Sequence, residues 1–261
     1  MIALTIDCEE WMSALVRGSK SKENYNTLFS KEGNNNLLKL LDKHNVKATF
    51  FTTGFFADRE KEQIKKIYDK GHEIASHGYN HDFPYYKDGA NLDSDVSKSK
   101  KAIEKIISSK IKGFRAPRMK FSYDLIRILD KNKFKYDSSL NPAFLPFVYH
   151  NNNFPIDIFK PINNLQIKEI PVAVYPNSRF PMGWVFMRNL GSWWAELGSK
   201  RLLKKRINPV LYFHSWEFRK ITSKNIPIYI KLNTGEEFCS KLDHFIKKFR
   251  DQRFVTMEEL I

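Results

Sequence analysis

Two histidines four residues apart, in Ser76-His77-Gly78-Tyr79-Asn80-His81, and the acidic cluster Asp7-Cys8-Glu9-Glu10 after an apolar run are the residues from which a chemistry can be argued. Imidazoles at i and i+4 fall on one side of a helical turn, close enough to grip one ion, and a carboxylate from elsewhere can complete the protein's share of the shell. Three protein ligands leave positions open for water and substrate, the pattern of a catalytic zinc site; structural sites close with four ligands, usually including cysteines. The chain has only Cys8 and Cys239, far apart in sequence.

In a strand, residues two apart point the same way, so Asp7 and Glu9 can face one pocket if the strand persists that far, and Cys8 faces away. One carboxylate can hold metal while the other accepts a proton. Arg115, in Phe114-Arg115-Ala116-Pro117-Arg118, ends a run with strand character, and its guanidinium would orient the base. His214, followed by Ser215-Trp216-Glu217, is available as a proton donor, with Asp137 or Glu217 as candidates to orient it. An electrophilic metal, a carboxylate base and a histidine acid are the parts that amide hydrolysis needs.

These residues need elements to hold them, and the first half alternates β-rich runs with amphipathic stretches, the signature of parallel strands joined by crossover helices. Strands are expected at Ile2–Ile6, Lys47–Thr52, His72–Ala75, Ile111–Arg115, Phe134–Asp137 and Val210–Phe213, with Phe254–Thr256 as a closing strand. Leucines in Asn36–His44, apolar residues in Asp95–Ser108 and phenylalanines in Glu236–Arg250 recur at helical spacing. The candidate site residues fall at or just after strand C-terminal ends, where α/β barrels place their chemistry. From about 141 to 206 the texture turns Pro-rich, Asn-rich and aromatic, as expected of an irregular segment that shapes a site or a partner surface.

At 261 residues one domain, 1–261, is expected, with 141–206 as its variable substrate or partner segment. The net charge of +15 calls for a polyanionic neighbour, although runs such as Lys65-Lys66 and Lys247-Lys248 read as solvated helix faces. Zinc-finger spacing, RNP-type aromatics and helix-turn-helix signatures are missing, which argues against nucleic acid. The opening run Ile2-Ala3-Leu4-Thr5-Ile6 is too short to cross a bilayer and has no basic leader, so a cytoplasmic location is the expectation.

Thr5-Ile6-Asp7-Cys8-Glu9, Ser76-His77-Gly78-Tyr79-Asn80-His81, Arg115-Ala116-Pro117, Tyr136-Asp137-Ser138-Ser139 and Phe213-His214 stand in the order of the motifs of NodB-type polysaccharide deacetylases, carbohydrate esterase family four. The resemblance spans Met1 to Glu217. Pro181-Met182-Gly183-Trp184-Val185-Phe186 and Phe213-His214-Ser215-Trp216-Glu217-Phe218 look like the branch found in exopolysaccharide and glycolipid gene clusters. It implies a distorted (β/α) barrel of about seven parallel strands and removal of acetyl groups from N-acetylated amino sugars. The implied roles are Asp7 as base, His77 and His81 as metal ligands, Arg115 orienting Asp7, and His214 as acid. The commonest family motif has two adjacent aspartates, whereas Cys8 stands at the partner position here. Branches with Asp-x-Asp or Asp-x-Glu make Glu9 the preferred third ligand over Glu10 or Cys8.

Zn2+ is the expected metal, although imidazole and carboxylate also accept cobalt, nickel or iron. Trp184, Arg118 and Tyr79 are the expected substrate contacts, and a backbone N–H near Arg118 or Met119 the expected oxyanion donor. Trp184, Phe186, Trp193 and Trp194, followed by Arg201-Leu202-Leu203-Lys204-Lys205-Arg206, suit a lipid-linked sugar at an anionic membrane face. The competing readings are a deformylase or amidase on the same frame, and a silent sugar-binding protein; retention of Asp7, Arg115 and His214 argues against the last, since binding alone needs neither base nor acid.

Overall fold

The computed structural model describes residues 1–10, 27–81, 89–223 and 226–261. Its strands are β1 (Ile2–Cys8), β2 (Thr49–Thr52), β3 (Glu73–Ser76), β4 (Gly113–Phe114), β5 (Tyr136–Asp137), β6 (Phe144–Leu145), β7 (Tyr149–His150), β8 (Lys168–Glu169), β9 (Val210–His214) and β10 (Phe254–Val255). All but the antiparallel β6–β7 hairpin join one parallel sheet.

Seven of these strands lie side by side in the order β9-β1-β2-β3-β4-β5-β8 and curl into the half-barrel of a distorted (β/α) barrel. β10 pairs with the first two residues of β1 on the edge that β2 occupies further along, since Ile2 N–H donates to Arg253 on that side and Ala3 N–H donates to Pro209 on the other. Between β8 and β9, Ala173 N–H donates to the Val210 carbonyl at 2.8 Å.

The helices are α1 (Leu28–Lys43), α2 (Gly54–Arg59), α3 (Lys61–Asp69), α4 (Gly89–Ile107), α5 (Tyr123–Lys131), α6 (Trp184–Leu190), α7 (Ser192–Lys204), α8 (Ile228–Lys231) and α9 (Glu236–Lys248). Helix starts carry ordinary local signals: Thr53 accepts the Phe56 N–H at the head of α2, and Ser122 accepts the Leu125 N–H at the head of α5.

Strand alternation sorts two cores. Ile2, Leu4, Ile6 and Cys8 of β1 face outward onto Leu37, Leu38 and Leu41 of α1. The odd-numbered Ala3 joins Phe51, Ala75, Tyr136, Ile170, Val210 and Met257 in the interior. β1 is buried along its whole length, as a parallel strand covered on both faces must be. The C-terminal tail closes the N-terminal end of the barrel: Met257 N–H donates to Thr49 Oγ1 at 2.8 Å and Glu258 N–H to Glu73 Oε2 at 3.0 Å.

Two expectations change. α1 begins at Leu28 rather than Asn36, because Gly33, Asn34 and Asn35 are weak helix formers that hide its first turns. Tertiary contacts override that propensity: Asn34 donates to Gln63 Oε1 at 2.9 Å, and a Cβ on Gly33 would stand 2.0 Å from the Ser215 carbonyl. The 141–206 segment, expected to be irregular, contains the sheet strand β8 and the helices α6 and α7. Two residues are too few for β8 to show a period, and aromatics and glycine blur the stripe of α6 and α7.

Candidate active site

β1 extends to Cys8, and its alternation carries Asp7 inward at the C-terminal end of the sheet, with Glu9 just beyond. Glu9, His77 and His81 converge: one ligand atom from each lies within 4.8 Å of the others, and all three are buried. Glu9 Oε2 is 2.8 Å from His81 Nε2 and 3.6 Å from His77 Nε2. His77 Nδ1 donates to the Arg115 carbonyl at 2.7 Å, which fixes the tautomer that leaves Nε2 as a lone-pair donor. Burial alone would raise the Glu9 carboxyl, but the adjacent His81 and His77 hold it well below the usual carboxylate range. A buried, ionised carboxylate facing two imidazole nitrogens fits the donor set for a divalent metal.

The neighbours of Glu9 face elsewhere. Glu10 Oε2 accepts from Thr53 Oγ1 at 2.9 Å, and burial pushes its carboxyl above the usual range. Cys8 takes a hydrogen bond from Asn34 Nδ2 at 3.1 Å on the helix side, and burial pushes its thiol up to about 12.

His77 to His81 form a loop and not the helical turn that their spacing suggested. Gly78 at φ 72 reverses the chain after β3, and the Asp95 carboxylate accepts the N–H groups of Tyr79 (2.8 Å) and Asn80 (3.3 Å). The loop still brings the rings together, at 5.5 Å between centroids.

Asp7 is held from β4's end. Arg115, fully buried, donates from Nη1 to Asp7 Oδ1 at 2.8 Å and to Thr5 Oγ1 at 2.9 Å. Its Nε and Nη2 donate to the carbonyl (3.1 Å) and hydroxyl (3.0 Å) of Ser138, and Phe51 lies under its guanidinium at 4.1 Å. This buried charge has both a counter-ion and filled hydrogen bonds, the condition for tolerating burial.

β9 delivers His214 opposite, with Nε2 4.0 Å from Asp7 Oδ2. The His214 ring stacks on Trp216 at 4.8 Å and meets the edge of Trp184 at 5.2 Å. Its Nδ1 lies 3.1 Å from Glu217 Oε1, which also accepts the His214 N–H at 2.8 Å. Burial would lower the His214 pKa, but the Glu217, Glu9 and Asp7 carboxylates outweigh it and raise it. Of the two candidates for orienting this ring, Glu217 is therefore the one in place. Asp137 instead accepts from Ser139 Oγ at 2.6 Å and stands in register with Glu169. Burial brings Asp137 up to about 6 against the hydrogen bonds from Glu169 and Ser139 that favour its ionisation, and burial together with the Asp137 carboxyl pushes Glu169 well above the carboxylate range.

Trp184 reaches the site because Gly183 lets the chain press against β9; a Cβ there would stand 2.8 Å from the Tyr212 carbonyl. Arg118 lies just beyond Arg115 in the 3-10 turn Pro117–Met119, where Arg118 and Met119 both adopt positive φ (57° and 53°), strain of the kind that gathers at functional sites. The Met119 N–H is committed to the Ala116 carbonyl at 3.0 Å. Tyr79 departs from expectation: its hydroxyl donates to Asp58 on α2 at 2.9 Å and Lys98 of α4 sits over its ring, so it braces two helices rather than lining the cluster.

Sequence reasoning gave no role to Thr5, Ser138, Trp216 or Arg188. Trp216, whose Nε1 donates to Glu9 Oε1 at 3.3 Å, was signalled only by its place two residues after His214. Arg188 donates to Glu217 Oε2 and has no local signal at all.

Residues 22–136 match the family described as Polysaccharide deacetylase, and residues 138–261 match a Domain of unknown function (DUF3473). The "Peptidoglycan deacetylase" of Helicobacter pylori is 37% identical over 112 residues, covering 42% of this chain and 38% of that protein. The "Peptidoglycan deacetylase-like protein FGM2" of Gibberella zeae is 30% identical over 161 residues, covering 56% of this chain and 48% of the relative. The chain thus spans less than half the length of these curated relatives. A putative polysaccharide deacetylase from Mycobacterium smegmatis shares the fold, with a TM-score of 0.70 at 20% identity over 99% of this chain and 87% of that one.

Proposed function

The chain belongs to the NodB-type polysaccharide deacetylases of carbohydrate esterase family four, and from that membership we propose that it hydrolyses the acetamido group of an N-acetylated amino sugar, in a glycan or a lipid-linked sugar, releasing acetate. One observation carries the reading: Asp7 and His214 face each other, at 4.0 Å, where the Glu9, His77 and His81 ligand atoms converge. Sugar binding alone would need neither that pairing nor the buried guanidinium that positions Asp7.

Glu9, His77 and His81 would hold a divalent metal, Zn2+ first among candidates, which when bound polarises the acyl carbonyl and acidifies water. Asp7, pinned through Oδ1 by Arg115, keeps Oδ2 turned toward His214 and takes the proton of the attacking water. His214, its pKa raised by the carboxylates around it, gives its Nε2 proton to the departing amine nitrogen. Glu217 keeps the Nδ1 proton in place as the ring loses its charge. The Trp184 indole, edge-on to His214, offers an apolar wall to a sugar ring.

Chelation should abolish acetate release from an N-acetylhexosamine glycan, and added Zn2+ should restore it; chelator-insensitive turnover would sink the metal-dependent reading. A lipid-linked substrate at the cytoplasmic face of an anionic membrane belongs to the same proposal. It is supported by the charge of +15 and by exposed Trp193, Ile228 and Tyr229. Among the described residues no helix is long and apolar enough to cross a membrane. Purified protein should co-sediment with anionic liposomes at low salt and not with neutral ones; equal recovery from both would remove the membrane part.

A further inference from the structure

Behind the catalytic face of His214, Glu217 belongs to a buried ion pair whose other member the steps above do not use. Arg188, on α6, and Glu217 are both fully buried. Arg188 Nη1 donates to Glu217 Oε2, while Glu217 Oε1 receives the backbone N–H and the Nδ1 edge of His214. The remaining guanidinium donors are anchored on α8 and its end: Nε to the Leu232 carbonyl at 3.0 Å, and Nη2 to the carbonyls of Tyr229 (3.1 Å) and Ile230 (2.6 Å). The Arg188 carbonyl in turn accepts from Lys241 Nζ of α9 at 2.6 Å. Glu217 thus has each oxygen assigned to a different partner, and its orientation is set by a planar fork anchored on three carbonyls.

We propose that Arg188 is a positioning residue for proton donation: by fixing the Glu217 carboxylate it holds His214 with Nδ1 toward Glu217 and Nε2 toward Asp7. This rests on His214 being the acid of the proposed hydrolysis. In that step the N–H bond forms at the leaving nitrogen as the Nε2–H bond breaks, and the ring stays hydrogen-bonded through Nδ1–H to Glu217. Carboxylate and ring alone would not suffice, because the terminal torsion of Glu217 is broad and would let its oxygen turn out of line with Nδ1. The planar fork removes that freedom in a way a lysine cannot. Arg188, Glu217 and His214 all lie in the 138–261 region matched by a domain of unknown function, so the inference gives that region a task.

Arg188→Ala should lower kcat by about 10²-fold, the usual cost of a small misplacement, with KM within about twofold, and added guanidinium should restore much of kcat. Arg188→Lys should lose kcat with the same unchanged KM. Independently of turnover, the wild-type metal-free protein should show a protected His214 Nδ1–H proton resonance, assigned by its loss in His214→Gln. That resonance should vanish in Arg188→Ala and return with guanidinium. If it behaves so while no form releases acetate, positioning stands and the deacetylase reading falls. A folded Arg188→Ala that keeps the resonance and full kcat overturns the proposal; should that variant not fold, full kcat in Arg188→Lys overturns it equally.

Discussion

The two sides of the site are built differently. The side chains of Glu9 and His77 are fixed by neutral contacts, the Trp216 indole on Glu9 and the Arg115 carbonyl on His77, and His81 rides on a loop whose N–H groups the Asp95 carboxylate holds. His214 is fixed by charge, through Glu217 and then Arg188, and its side chain keeps 13% exposure where His77 keeps 2%. A ligand set has only to keep its shape, and rigid neutral contacts do that without competing for the ligand's lone pair. An acid has to change charge in each cycle, so it needs a carboxylate to stabilise the charged form and an opening toward the leaving group. Asp7 sits between the two designs, with one oxygen bound to a buried cation and the other turned to the acid.

The contrast can be broken at several points. Asp7→Asn should have the largest effect, lowering kcat by roughly 10²–10⁴-fold, the worth of a general base, while bound metal by elemental analysis stays at the wild-type level; loss of metal would place Asp7 on the ligand side. Glu217→Gln should come next, costing on the order of 10² in kcat. Because Glu217 raises the His214 pKa, the alkaline limb of the kcat profile should move to lower pH in that variant. An unmoved limb would mean that another group is the acid. The smallest effect is on stability. Asp137 and Glu169 both have raised folded-state pKa values, so the folded chain keeps protons that the unfolded chain releases. Their contribution is present below about pH 4 and is lost as the pH rises through about 6 and beyond. Glu169→Gln should flatten that decline in urea midpoints without changing the kcat profile.

The difference between the two sides also explains what was legible in the sequence. The ligand side rests on local spacing: the i, i+2 alternation of Asp7 and Glu9 and the short loop from His77 to His81 can be read along the chain, even though that loop is not helical. The acid side rests on long-range pairing. His214 stood out at the end of an apolar strand, yet Arg188 is 29 positions from Glu217 and sits in a segment whose aromatic texture masked two helices. Tyr79 misled for a related reason: its place between the two histidines said nothing of Asp58, 21 positions away, which draws its hydroxyl to α2. β8 was missed because two residues carry no period, and pairing with Tyr136 and Asp137 of β5 makes them a strand.

β1 has a consequence for timing. It carries Asp7 and leads straight into Glu9, yet β9 and β10, which flank its length and its start, lie about 200 residues or more further along, and Ser215 reaches back across 208 residues to the Asp7 carbonyl. Loop closure on that scale makes assembly slow and late. A nascent chain can complete its ligand loop while β1 still lacks β9, so base and acid first meet only when β9 docks against β1.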